Sequence, residues 1–339
     1  MNPAGSGTRR ALSAIVGLAI SAALLMWALR GVNLAEVAQR LRAARTLPLA
    51  VTAILATLTF PLRVVRWRLL LRRDDGGPVP AMPLWHAVAI GFMANNLLPF
   101  RAGELVRVFA ASRLTGTAFS AVLSSIAVER IFDGLAVVAL LAVGLVASDL
   151  PAGVAVGGVP VARAAQAAGA VAGIALLVAV LVVAFPLSAE GVVRRILPAG
   201  RLTDRIVAVI EGIRQGLSAL RSPTRLAGVV FWSLGVWTLN AFAFWVAFSA
   251  FDLPVDYAGA LVLQGILVVG ISVQFAPGFV GQFEAAIVAA LALYVVPNAA
   301  ASSYAIAYHA VTFVPIVLLG FWSLARSPVA IGDLRRTTA

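Results

Sequence analysis

The stretch Asn95–Val108, NNLLPFRAGELVRV, places two arginines and one glutamate inside a chain that is otherwise strongly apolar. Pro99 fixes φ and disfavours helical backbone at the residue before it, and Gly103 relaxes the backbone four positions later. The stretch therefore predicts two short helices that meet at the sequence PFRAG, instead of one continuous helix.

The rest of the chain has the composition of a membrane protein. Of its 339 residues, 61% are hydrophobic and 12% are charged, and the mean hydropathy is +0.99. Several apolar runs exceed the roughly 18 residues that mark a membrane-spanning helix. We expect an all-α, polytopic bundle of transmembrane helices that forms a single domain over residues 1–339. The predicted spans are Ala11–Leu29, Leu47–Val65, Ser120–Ala147, Ala164–Phe185, Leu226–Phe251 and Ala299–Ala325.

The charge distribution indicates orientation and partners. The formal net charge is +12, and all 26 basic residues are arginine. Arginines beside helix ends fix the orientation of a membrane protein and contact anionic lipid headgroups, so we expect lipid partners and no nucleic acid. Most arginines fall in predicted cytoplasmic segments, which indicates a multi-pass protein of the inner (plasma) membrane with both termini in the cytoplasm. The lack of cysteine excludes thiolate ligands, and we expect no metal and no cofactor.

Four segments beside the spans carry their own predictions. Arg9-Arg10 and the apolar run after them resemble a secretion signal, but the run is too long for one and we expect an uncleaved first span. Asn33-Leu-Ala-Glu36 predicts a capping box that opens an external interfacial helix. Residues 188–225 predict an amphipathic cytoplasmic connector, either solvated or bound to lipid. The cytoplasmic end of the second span carries Arg63, Arg66, Arg68, Arg72 and Arg73.

The order of the spans makes the first break a re-entrant pair of helices. The chain is predicted to be cytoplasmic before residue 84 and again after the two spans that follow residue 113. Those two spans account for one exit and one return, so residues 84–113 should add no net crossing. Leu84–Leu98 then enters the membrane and Glu104–Arg113 leaves it on the same side. Such broken backbone at membrane depth is tolerated only where protein or a water-filled cavity satisfies its polar groups. The charged residues of the break are therefore expected to line an internal cavity.

A second break with the same order of residues lies at Gln274–Ala286, QFAPGFVGQFEAA. Tyr257–Ala276 and Gln282–Val296 would form a second re-entrant pair near residues 257–296, entered from outside, although two full crossings remain an alternative. Inverted repeats with broken helices are typical of transporters. Residues 1–187 and 226–326 are thus predicted to be two inverted halves.

The halves also match in spacing. Glu104 is followed 25 residues later by Glu129, and Glu284 is followed 25 residues later by His309. An ionisable residue within a span costs at least about 2.5–3.5 kcal/mol, so such residues indicate function by default. In the first half, six of them are candidates to bind an anionic lipid headgroup: Arg101, Glu104, Arg107, Glu129, Arg130 and Asp133.

Two interpretations of these six residues stay open. In one, the arginines bind a phosphate through their planar guanidinium forks, and the acids hold the arginines and keep the empty cavity close to neutral. Arg130 and Asp133, three residues apart, are close enough to pair. In the other, the charges form a structural ion-pair network that fixes the re-entrant turn.

The second half adds two candidates for headgroup binding, Glu284 and His309. His309 and Tyr308 are the expected partners of Glu284, and a Glu–His pair could couple transport to protons or simply pack within the bundle. Polar residues before the breaks are expected to satisfy freed backbone groups; they are Asn95, Asn96 and Gln274. Asn240 and Gln264 are expected to hold helices together through hydrogen bonds.

Four motifs in this order resemble one family, the lysylphosphatidylglycerol synthetase transmembrane-region or flippase-like membrane proteins. They are NNLLPFRAGELVRV, ERIFDGLAVVAL, PGFVGQFEAA and YHAVTFVPIVLLG, within a resemblance that covers about residues 10–326. The family's motif positions correspond here to Asn96, Pro99, Arg101, Gly103, Glu104, Arg107, Glu129, Arg130, Asp133, Pro277, Gly281 and Glu284.

The resemblance implies a lipid-translocating membrane domain. Family members either stand alone or carry a cytoplasmic synthase domain, and only 13 residues follow Arg326 here, so we do not expect the aminoacyl-transfer activity. Two alternatives stay open. One is a membrane enzyme acting in polyprenyl-phosphate, phospholipid or hopanoid synthesis, and the other is an accessory partner of a lipid-synthesis enzyme.

Overall fold

The computed structural model describes residues 19–73, 77–148 and 222–329, with a few residues between 155 and 203. The helices in these ranges are α1 (Ala19–Ala28), α2 (Leu34–Ala43), α3 (Thr46–Leu70), α4 (Ala81–Leu97), α5 (Ala102–Thr115), α6 (Phe119–Ala147), α7 (Pro223–Phe248), α8 (Tyr257–Gly270), α9 (Gln282–Ala292) and α10 (Asn298–Arg326). Two 3₁₀ turns, Ser249–Phe251 and Pro277–Phe279, and a hairpin of β1 (Ala155–Val156) and β2 (Val159–Pro160) complete them.

Four helices in the described ranges are long and apolar enough to cross a membrane: α3, α6, α7 and α10. Their bounds agree with four of the predicted spans to within five residues at either end. Large apolar side chains on these helices face outward, among them Val146, Phe231 and Leu318, as expected of a surface in contact with lipid. The protein is a multi-pass bundle of α-helices.

Prolines inside α3 and α10 leave both helices continuous, whereas Pro99 and Pro277 lie at breaks. The first break separates α4 from α5, as the sequence predicts. The predicted helix Tyr257–Ala276 ends six residues early, at Gly270, and irregular backbone leads to the second break.

The short helix α2 begins as predicted but its capping box is incomplete. Asn33 Oδ1 accepts a hydrogen bond from the amide of Ala35 at 2.9 Å, so this residue is the N-cap. Glu36 instead pairs with Arg40 at 2.9 Å, one turn further along the same face. The predicted capping box is therefore wrong in its second part, because the ion pair at spacing i, i+4 engages the glutamate.

The breaks lie between two apolar cores. One core is formed mainly by α3, α4, α5 and α6, and the other by α7, α8, α9 and α10. Helices α4 and α5 pack closely, because a Cβ at Gly103 would overlap the carbonyl of Gly91 and the amide of Asn95. Glycine at this position allows the two half-length helices to lie side by side.

Two predictions fall outside the described residues. They are the span Ala164–Phe185 and the connector 188–225, of which only residues 222–225 belong to a described range. The first predicted span, Ala11–Leu29, is described from Ala19 onward and is helical there.

Candidate functional site

The first break is a turn of left-handed backbone. Phe100 and Arg101 follow Pro99 with φ values of 57° and 53°, and α5 begins directly after them. Non-glycine residues rarely adopt this conformation, and each such residue costs of order 1 kcal/mol. Surrounding contacts therefore hold the turn in place.

The second break repeats this conformation. Gly278 and Phe279 follow Pro277 with φ values of 65° and 57°, and Gly281 has a φ of 82°. In both breaks the two residues after the proline are left-handed, and a glycine stands four positions after the proline. The likeness predicted from residue types thus extends to the backbone.

One side chain joins the two breaks. The Nε2 of Gln274 donates to the carbonyls of Asn95, Leu98 and Ala276 at 2.9, 3.1 and 3.2 Å. Its Oε1 accepts from the amide of Arg101 at 2.8 Å. The expectation that polar side chains satisfy freed backbone groups is confirmed for Gln274, whose partners belong to both breaks. It is wrong for the carbonyl oxygen of the Asn95 side chain, which has no hydrogen-bond partner among the described residues.

Glu129 on α6 is the centre of the charged cluster. It is 0% exposed and accepts a bidentate pair of hydrogen bonds from Arg107 of α5 at 2.8 and 2.9 Å. It also lies 2.7 Å from Arg130 and 3.1 Å from Arg66 of α3. One carboxylate thus fixes three guanidinium groups from three helices.

Asp133, one turn further along α6, completes the cluster. It pairs with Arg66 at 2.5 Å and with Arg130 at 3.1 Å, and accepts a hydrogen bond from the indole of Trp237 at 2.8 Å. The predicted pairing of Arg130 with Asp133 is confirmed.

The predicted environment of Arg66 is wrong. It was expected at a membrane surface together with Arg63, but α3 continues to Leu70 and both side chains are buried in the bundle. The physical reason is the pair of acids on α6, which neutralises Arg66 inside the protein.

Arg63 differs from the other arginines of the cluster. Its side chain is 6% exposed, and no described carboxylate lies within 4.0 Å of it. Its guanidinium lies over the rings of Phe92 and Trp237, with distances to the ring centres of 5.0 and 5.6 Å. Aromatic rings attract a cation but do not neutralise it.

Arg101 and Glu104 form the more accessible end of the cluster. They lie 3.7 Å apart with about one third of each side chain exposed, and Glu104 is 3.9 Å from Arg130. Arg101 also donates to the carbonyl of Ile271 at 3.1 Å, beside the second break. The first break therefore contacts the second through both its backbone and its charged side chain.

The second half carries a separate pair. Glu284 Oε1 lies 2.6 Å from His309 Nδ1, so the predicted partnership is confirmed. The other carboxylate oxygen accepts from the amide of Gly281 at 2.7 Å and caps the start of α9. The imidazole stacks on Phe283 with 4.3 Å between ring centres.

A cavity of about 620 Å³ connects the two breaks. Among the predicted headgroup residues, the structure brings six to its wall: Arg101, Glu104, Arg107, Arg130, Asp133 and His309. Glu129 and Glu284 lie behind the wall and hold residues that line it. Of the predicted structural positions, Asn96 and Gly103 line the cavity, while Pro99, Pro277 and Gly281 form the breaks.

Sequence reasoning missed four residues of the site: Arg63, Arg66, Trp237 and Gln264. The signal for the first two was present, because two arginines three positions apart within an apolar run share a helix face. Gln264 was expected to join helices, but neither atom of its amide has a hydrogen-bond partner among the described residues. It faces the cavity instead.

Comparisons with known proteins identify the family of the chain. Residues 14–320 match the family described as the lysylphosphatidylglycerol synthase TM region, and the chain belongs to this family. The chain is also similar to glycosyltransferase AglD of Haloferax volcanii, at 27% identity. That match covers 96% of this chain and 56% of the relative, so the chain spans about half of the relative's length.

Proposed function

We propose that this member of the lysylphosphatidylglycerol synthase TM family is a flippase-like lipid transporter. It binds the anionic headgroup of a phospholipid or lipid-linked substrate in the cavity and moves it between leaflets. Residues 84–113 and 257–296 act as two re-entrant pairs of opposite orientation, belonging to halves 1–187 and 226–326. Both termini lie in the cytoplasm, and the protein resides in the inner membrane.

The charge balance of the cavity supports an anionic ligand. Among the described residues, four arginines and two carboxylates line it; the arginines are Arg63, Arg101, Arg107 and Arg130, and the acids are Glu104 and Asp133. Behind the wall, Glu129 and Arg66 contribute one charge of each sign, so this excess remains. A positive cavity within a bundle of apolar helices favours a group that brings negative charge with it.

The observation that carries the proposal is the position of Arg63. A buried guanidinium without a neighbouring carboxylate is costly unless a ligand or water supplies the missing acceptor. Phosphate oxygens suit it, because the planar fork of arginine donates two parallel hydrogen bonds to them. The acids of the cluster are engaged by other arginines, so a ligand phosphate could bind Arg63 without displacing an existing pair.

A vesicle assay tests the proposal. The purified protein is reconstituted into vesicles that contain phosphatidylglycerol labelled on an acyl chain, so that the headgroup stays intact. A membrane-impermeant quencher then reports the rate at which label reaches the outer leaflet. We expect the protein to accelerate this exchange and Arg63→Gln to slow it about tenfold, equivalent to about 1.4 kcal/mol and close to the weaker charged hydrogen bonds.

Arg45→Gln is the matched control. This arginine pairs with Asp252 at 2.7 Å, and both side chains are exposed outside the cavity. Its removal should leave the rate within twofold of the unmodified protein. An exchange rate equal to that of empty vesicles, or full activity in Arg63→Gln, would contradict the proposal.

The match to glycosyltransferase AglD favours a second candidate function. In this alternative, the chain is an accessory membrane subunit that presents a lipid phosphate to a glycosyl-transferring enzyme without moving it across the membrane. The same vesicles separate the two, because an accessory subunit would bind a polyprenyl phosphate while leaving the exchange rate at the empty-vesicle level.

A further inference from the structure

The cavity is also lined by uncharged polar side chains, Gln264 and Asn240, in addition to the arginine cluster. Gln264 of α8 is 1% exposed, lines the cavity, and has no hydrogen-bond partner for Oε1 or Nε2 among the described residues. Buried amides in folded proteins are nearly always hydrogen-bonded to protein or to bound water or ligand. The amide of Gln264 is therefore free to bind a group that enters the cavity.

Asn240 of α7 lines the same cavity, and its side chain forms no hydrogen bond with a described residue. Two amides together provide donors and acceptors. A phosphate oxygen accepts hydrogen bonds only, and the arginines already supply donors for it. A hydroxyl group donates and accepts, so it matches an amide on both counts.

Two aromatic rings also line the cavity, and one of them follows Asn240 by one turn of α7. These rings, Phe244 and Tyr308, stack on each other, with 4.2 Å between ring centres and an angle of 12° between planes. The phenol of the neighbouring Tyr304 donates to the carbonyl of Phe244 at 3.0 Å, which fixes the backbone beneath the stack. Polyols have apolar C–H edges between their hydroxyls, so apolar ring surface beside amides suits them.

We propose that Gln264 and Asn240 form a subsite for the hydroxyl groups of a polyol that is attached to the phosphate bound by the arginines. The ligand class is a lipid phosphodiester with a hydroxylated headgroup, either the glycerol of a phospholipid or the hexose of a lipid-linked sugar. A cavity of about 620 Å³ lies within the range of about 300–1,000 Å³ that holds small-molecule ligands. This inference rests on the proposed function and specifies its ligand.

The test compares two lipids that differ only in the polyol. Vesicles contain either acyl-labelled phosphatidylglycerol or phosphatidylpropanol with the same labelled chain, which is an anionic phosphodiester of the same charge without hydroxyl groups. The unmodified protein should exchange phosphatidylglycerol at least about tenfold faster. Gln264→Leu, which keeps the volume and removes the amide, should bring the two rates to within about twofold by lowering only the phosphatidylglycerol rate.

The design separates failure of the subsite from failure of transport. If the unmodified protein moves neither lipid, the proposed function fails. If it moves both equally, or if Gln264→Leu keeps the preference, transport stands and the subsite is overturned. Asn240→Leu repeats the test at a partly exposed position, where loss of folding is a smaller risk.

Competition identifies the source of the polyol. An unlabelled polyprenyl-phosphate hexose and an unlabelled polyprenyl phosphate are added separately to vesicles with labelled phosphatidylglycerol. Stronger inhibition by the hexose derivative, abolished in Gln264→Leu, would assign the subsite to lipid-linked sugars. Equal inhibition by both, together with the preference for phosphatidylglycerol, would assign it to glycerol.

Discussion

The two breaks share a backbone design and differ in the chemistry that they carry. Each has a proline, two left-handed residues and a glycine at the same offset. The first break is followed by Glu104 and Arg107, which join a network of arginines and acids across three helices. The second is followed by Glu284, which caps its own helix and holds a single histidine.

The comparison indicates that the turns at the breaks and the charged residues after them have separate roles. The left-handed turns and the bridging side chain of Gln274 bring two pairs of short helices together. What the cavity can bind is then decided by side chains beyond the turns. The first half supplies cations, and the second half supplies an imidazole and neutral amides. Variants that remove a charge at either break should therefore have unequal costs.

Glu129→Gln should have the largest effect, because it removes the charge that holds three buried or half-buried arginines. Loss of one partner of a buried ion pair costs about 3–5 kcal/mol. We expect a free energy of unfolding lower by about that amount, measured by denaturant titration of the purified protein in detergent.

The control for this variant is Glu104→Gln, at a glutamate about one third exposed and 3.7–3.9 Å from its two arginines. Exposed pairs contribute about 0–1 kcal/mol. Equal losses in the two variants would show that the burial of Glu129 does not matter, and would remove the contrast between the centre and the rim of the cluster.

Gln274→Leu should rank second. It leaves the backbone groups of both breaks without the partners that Gln274 provides, and an unsatisfied buried polar group costs about 1–3 kcal/mol. We expect a loss of about 2–3 kcal/mol in the same titration, with faster proteolysis near both prolines. Cleavage confined to one break would mean that the two do not depend on each other.

Glu284→Ala should have the smallest effect of the three, about 1–2 kcal/mol, because it removes a helix cap and the partner of one histidine. Asp256→Ala is its matched comparison, since Asp256 caps α8 through the amide of Gly259 at 2.8 Å but is not paired with a histidine. The difference between the two losses combines the contribution of His309 with that of burial, because Asp256 is exposed and Glu284 is buried. A larger loss in Asp256→Ala would contradict a stabilising role for the Glu284–His309 pair.

Local signals explain what could be predicted. Apolar runs predicted the four long helices. Pro99, Gly103 and Pro277 predicted the breaks, because each of these residues restricts or relaxes the backbone at its own position. The partnership of Glu284 with His309 followed from a spacing that places one helix beside the next. Whether the halves are inverted in the membrane stays a prediction.

The features that could not be predicted from the sequence depend on contacts between distant segments of the chain. Arg66 meets Asp133 across 67 positions of the chain, and its spacing from Arg63 does not show which residues would neutralise it. The left-handed turn at Phe100 and Arg101 occurs without glycine at either position, so residue preference argues against it. In the sequence, Gln264 resembles any glutamine that joins two helices. Only the structure shows that its amide has no hydrogen-bond partner among the described residues.

The packing of α1 on the second break has a consequence for biogenesis. Ser21 Oγ donates to the carbonyl of Val280, 259 positions later, and Gly281 lies so close that a Cβ there would overlap the Ser21 carbonyl. At about 5–20 residues per second, the ribosome delivers this docking surface roughly 13–50 s after α1. Helix α1 is thus synthesised well before the segment on which it packs, and this contact completes only when the second break has been made.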